Sequence, residues 1–161
     1  RREFFPAAFY LGACFAAAGN DRDAAGVWQM ALLGDPKPGP VYSLFADARL
    51  RTSQPASVID VLGPAWNRGQ EDGDLPKRVA LAYVITGRYV EAIPVLDDYL
   101  ARHRADQEAL YAAVMAQYQE STKANVPLSS PVRTKIARYA KAYTGPDKAL
   151  LAKYVEAMEG R

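Results

Sequence analysis

The order of apolar and polar residues along the chain predicts helices near 6–18, 22–33, 40–51, 56–68, 76–86, 88–103 and 107–121, with two more near 132–143 and 147–159. A longer period lies over the helical one. Counting Phe5 as position 1 of a unit about 34 residues long, position 8 is Gly12, Ala46 and Ala80, so it stays small at each step. Position 20 is Ala24, Val58 and Ala92, and position 24 is Trp28, Leu62 and Leu96. Small residues at positions 8 and 20 let two antiparallel helices approach closely, while large residues beside them fill the remaining space. Position 15 is Gly19, Ser53 and Gly87, where one helix must end and the chain turn back, a place that favours access to positive φ.

In the first unit, Ala8, Leu11, Gly12, Phe15, Gly19, Ala24, Trp28, Ala31 and Pro36 follow the order W-x2-L-G-x2-Y, A-x3-F, P. This stretch resembles a tetratricopeptide repeat. The resemblance implies an all-α, right-handed superhelical solenoid of antiparallel helix pairs, forming a single domain over 1–161. Its clear repeats cover about 5–38, 39–72 and 73–106. Each hairpin alone leaves an apolar face uncovered, so neighbours must stack to make the core continuous. The second copy departs from the pattern, with Arg49 at position 11 and no proline at position 32.

After residue 106 the register weakens. Leu110 and Val114 occupy positions 4 and 8, but Ser121–Pro131 is longer than a repeat turn and is expected to be an exposed loop. A divergent fourth repeat over 107–143 followed by a capping helix over 146–159 is the simplest arrangement, with Lys148, Lys153 and Glu156 on its wet face. Pairing the last two helices as a repeat of their own is the alternative. Asp35–Pro40 is expected to be a stiff turn between repeats, and Pro94 to remove one hydrogen bond inside a helix.

Half of the residues are hydrophobic, and alanine runs such as Ala16–Ala18 favour helix over strand. The net charge of +2 is mild and mixed, so neither nucleic acid nor a membrane is expected as a partner. Arg133, Lys135, Arg138 and Lys141 lie on one helix with Ile136, Tyr139 and Tyr143 opposite, which predicts a solvated face over a core.

No charged residue occurs from Phe4 to Gly19, and Arg1–Arg2 precede that run, so it superficially resembles a secretion signal; Leu11–Cys14 even matches a lipoprotein cleavage box. Pro6 and Gly12 interrupt the run, which is shorter than a bilayer span of about 20 residues. Its residues also satisfy the first repeat. A soluble chain is therefore expected, its compartment unassigned, with Cys14 a buried thiol. An end cap should present a polar outer face, and this helix does not. The expectation is that 1–161 follows a preceding segment that covers Phe4, Phe9 and Tyr10, or that two copies meet there. Similar repeat regions end larger bacterial proteins, some with von Willebrand factor A-related domains.

Catalytic constellations are thin. The lone histidine, His103, has no second ligand at metal spacing and is expected on the surface. Cys14 has no basic neighbour to activate it. Glu71, Asp72 and Asp74 lack the alternation of a calcium loop and read as a solvated turn and helix cap. No enzyme, cofactor or metal is expected.

The resemblance implies a concave groove lined by the first helix of each repeat. Carried onto matching positions, it assigns Phe9, Tyr10, Ala13 and Ala17 from the first repeat, and Ser43, Leu44, Asp47, Leu50 and Arg51 from the second. The third supplies Lys77, Arg78, Leu81 and Ile85, and the fourth Tyr111, Met115 and Tyr118. Phe9 and Ala13 stand where the chaperone-binding subclass has its Lys and Asn clamp, which disfavours that partner class. The implied function is a protein-interaction scaffold taking a segment with apolar anchors and an acidic group around a cationic centre of Arg51, Lys77 and Arg78. Self-association through the apolar first helix is the alternative, and a small-molecule receptor or enzyme in the groove a distant one.

Overall fold

A computed structural model of the chain describes the backbone of residues 4–34, 40–67 and 73–159 and the side chains of 6–32, 40–64 and 73–159. The expected turn at 35–39, Arg1, Arg2, Glu71, Asp72 and the Phe4 side chain lie outside the described residues. Among those described, every regular element is a helix: α1 (Phe4–Ala17), α2 (Asp21–Gly34), α3 (Pro40–Arg51), α4 (Pro55–Asn67), α5 (Leu75–Ile85), α6 (Tyr89–Arg102), α7 (Gln107–Ala124), α8 (Ser130–Ala142) and α9 (Lys148–Glu159). The chain is all-helical, with ends within a few residues of those expected.

Cα packing divides the chain into two compact units, Arg1–Thr86 and Gly87–Arg161. The division falls inside the third 34-residue segment.

In the first unit α1 packs on α2, α2 on α3, α3 on α4 and α5, and α4 on α5. Its core gathers Trp28, Phe45, Leu62 and Leu75, all buried. The closest approach is set by Gly12, since a Cβ there would stand 2.2 Å from Trp28 Nε1. Removing the side chain from one helix makes room for the largest residue on the next. Trp28 Nε1 then donates to the Phe9 carbonyl at 3.3 Å, so the buried indole keeps a partner.

The turn after α1 ends in Gly19 at φ 78°, and the turn after α3 in Ser53 at φ 58°. Both close the same way. The amides of Gly19 and Asn20 donate to the Ala16 and Phe15 carbonyls, and those of Ser53 and Gln54 donate to Leu50 and Arg49. This paired closure caps the last carbonyls of a helix with one left-handed residue. Gly87, after α5, has φ 74°.

Arg49 departs from the apolar residue expected at its position without leaving its charge stranded. Its guanidinium lies over the Phe45 ring, 5.5 Å from the centroid, and donates to Gln54 and to Gln29 on α2.

In the second unit α6 packs on α7, α7 on α8 and α9, and α8 on α9. Leu96, Leu100, Leu110, Val114, Ile136 and Leu151 are buried in it. Asp106 caps α7 by accepting from the Ala109 amide at 3.0 Å, and its second oxygen accepts from the Tyr99 hydroxyl. Pro94 lies inside α6. Both it and Val90, whose carbonyl loses its helical donor, are exposed, so water can take the vacated place.

Two expectations are corrected. The loop over 121–131 is shorter, because α7 runs on to Ala124 and stops at Asn125, left-handed at φ 51°. Ser121 is buried and its hydroxyl donates back to the Tyr118 carbonyl, which satisfies it within the helix. Cys14 is exposed. Helical register turns it away from α2 while Gly12 faces the Trp28 indole.

Candidate interaction surface

The predicted contact residues of the first unit sit on α1, α3 and α5. On α1, Phe9 is half-buried against the core and Tyr10 is 67% exposed, with their rings edge to face at 5.3 Å. On α3 and α5, the register brings Asp47 beside Arg78, whose Nη1 lies 3.1 Å from the carboxylate. Leu81 is buried, while Ile85, one turn further, is 61% exposed.

The three cations expected to form a positive centre all face carboxylates. Arg51 forks onto Asp21 through Nε at 2.8 Å and Nη2 at 2.6 Å. This bidentate pair holds the Asp21 carboxyl below its ordinary value, chiefly through the hydrogen bonds from Arg51. Arg78 meets Asp47 and lies 3.9 Å from Asp74. Lys77 is buried, its ammonium 3.9 Å from Asp74. Asp74 begins α5, but its side chain accepts no capping hydrogen bond. The surface is therefore a charge-balanced polar network, with Arg51 its exposed cation.

Of the predicted residues in the second unit, Tyr111 is 5.8 Å from the Tyr143 ring, and Tyr118 stacks on Tyr154 of α9 at 4.2 Å. Met115 is half-buried. Both tyrosines thus serve packing within the unit. Burial, followed by the Asp147 charge, raises the Tyr111 pKa.

Comparison with models of known protein families, with curated proteins and with solved structures finds no match.

Among the described residues no group of His, Cys, Asp and Glu could hold a metal, and no helix is long and apolar enough to cross a membrane. His103 is exposed and stacks on Tyr99, with ring centroids 4.3 Å apart. Ile136 and Tyr139 on α8, and Tyr143 just past its end, are buried as expected, but Lys135 departs from the solvated face assigned to it. It is half-buried and bonds Asp97 of α6, whose other oxygen accepts from the Tyr139 hydroxyl at 3.1 Å. Sequence reasoning missed Asp97 and Asp21 because each meets its cation some 30 residues or more away. The one available signal was a carboxylate on a neighbouring helix at an equivalent height.

Proposed function

We propose that the chain is a protein-interaction scaffold of stacked tetratricopeptide-like hairpins, presenting first-helix residues to a segment that carries apolar anchors and an acidic group. The observation that carries the reading is local equivalence at 34-residue steps. Gly19, Ser53 and Gly87 share positive φ, and Ala24, Val58 and Ala92 share burial, as do Trp28, Leu62 and Leu96. Within the first unit, α3 also contacts α5, one first helix against the next. Tyr10, Arg51 and Ile85 are exposed first-helix side chains that offer aromatic, cationic and aliphatic contacts.

Selection from a random peptide library on the immobilised chain tests this. Enriched peptides should combine Asp or Glu with neighbouring apolar residues. Tyr10→Ala and Ile85→Ala should each weaken binding about fivefold, or about 1 kcal/mol, at unchanged helicity. Failure to enrich any such motif, or indifference to both substitutions, would remove the reading.

Self-association is the second reading, favoured by the uncharged exposed face of α1. Tyr10, Leu11, Cys14 and Ala17 recur there at three- and four-residue steps. Light scattering under reducing conditions should then show twice the 17.6 kDa chain mass, and Leu11→Glu should return it to that mass. A monomer at high concentration would dismiss it.

A further inference from the structure

We propose that the cavity between α6 and α8 binds a small organic anion, a carboxylate or phosphate ester carried on an apolar body. The cavity encloses about 600 Å³, within the range of small-molecule sites. Its lining divides into an apolar floor and a cationic rim. Leu100 and Leu110 are buried beneath it, and Ala101 and Ala142 flank them.

Arg104, Lys135 and Arg138 form the rim against a single carboxylate, Asp97. That carboxylate is already engaged on both oxygens, by Lys135 and by the Tyr139 hydroxyl. Its one charge is therefore spent on Lys135. Arg104 and Arg138 make no salt bridge among the described residues; Arg138 lies over the Tyr139 ring, 5.6 Å from its centroid. Two guanidiniums beside an apolar cavity leave a positive potential that an anion would neutralise, and their planar forks suit carboxylate or phosphate oxygens. The floor adds the second requirement. A bare anion leaves the exposed methyl groups of Ala101 and Ala142 in water, whereas an aromatic or aliphatic body covers them. The Lys135–Asp97–Tyr139 cluster ties α8 to α6 at the edge of the cavity.

Titration of the full isotope-labelled chain with 1-naphthylacetate and with 1-naphthyl phosphate, followed by amide chemical shifts, tests the proposal independently of any peptide partner. Saturable shifts are expected at Ala101, Tyr139 and Ala142 with at least one of the two probes. Neutral 1-naphthalenemethanol should bind at least tenfold more weakly, and so should acetate and inorganic phosphate. Because both arginines are exposed, the double variant Arg104→Gln, Arg138→Gln should keep its circular dichroism while losing tenfold or more in affinity. Equal binding of the neutral probe, indifference to the double substitution, or shifts confined to α1 would each overturn the assignment.

Discussion

At the residue scale, the contact between Gly12 and Trp28 decides how closely α1 and α2 approach. A methyl at position 12 would occupy the indole's place, so Gly12→Ala must push the ring or the helix aside. Helix propensity favours the substitution by about 1 kcal/mol, but overpacking a core costs about 1–3 kcal/mol. Net destabilisation is therefore expected in urea unfolding, with a shifted Trp28 emission. A more stable variant would show that α1 and α2 pack loosely enough at this point to take a methyl group. Ser53 tests the opposite sign. It holds a left-handed conformation between two positions where glycine does the same. Relief of the side-chain strain outweighs the backbone freedom glycine adds to the unfolded chain, so Ser53→Gly should stabilise by about 0.5–1 kcal/mol. Gly19→Ala should cost a similar amount, and chemical denaturation of the pair reads both.

At the scale of elements, charge pairs between helices are worth what their exposure allows. The Arg51 side chain in the Asp21 pair is 54% exposed, so breaking that pair should cost no more than about 1 kcal/mol. Its pH dependence follows from the lowered Asp21 pKa. The folded state binds the proton less tightly than the unfolded one, so the contribution is complete above the ordinary aspartate value of about 4 and fades as pH falls through the lower folded value. Asp21→Asn should flatten stability over that acidic window. On the proposed function it should also free the Arg51 fork and tighten an acidic peptide up to about fivefold, the factor equivalent to 1 kcal/mol. Weaker binding would show that Asp21 positions the guanidinium.

Helix identity and the local pairing of Gly12 with Trp28 were legible in the sequence because small and large residues alternate with backbone geometry. The partners of Arg49, Arg51 and Lys135 were not. Long side chains choose among several neighbours, and that choice depends on how the helices are rotated about their axes. Cys14 misled for the same reason, since apolar composition all round α1 hid which side faces α2. The α6–α8 cavity was illegible because its rim draws on Arg104 and Arg138, more than 30 residues apart.

At the scale of the molecule, each of the two compact units has its own buried residues, so stress applied to one core should register there first. Alkali is such a stress. Tyr111 and Tyr139, whose pKa is raised, both lie in Gly87–Arg161. For Tyr139 the first cause is burial and the next the Asp97 carboxylate, partly offset by Arg138. The folded state therefore holds the phenolic proton more tightly than the unfolded chain. That contribution is complete below the ordinary tyrosine value of about 10 and is lost as pH rises through the higher folded value. Above that point a phenolate would face Asp97, and the bond that ties α8 to α6 would become a repulsion. Amides of α7, α8 and α9 should then lose hydrogen-exchange protection as the pH rises through that value, once intrinsic exchange rates are divided out. Tyr139→Phe should cost about 1–2 kcal/mol at neutral pH, for the lost hydrogen bond to a carboxylate, and should move the alkaline opening of the second unit upward. Loss of protection in both units together, unaltered by that substitution, would show that they open as one and that Tyr139 does not govern the transition.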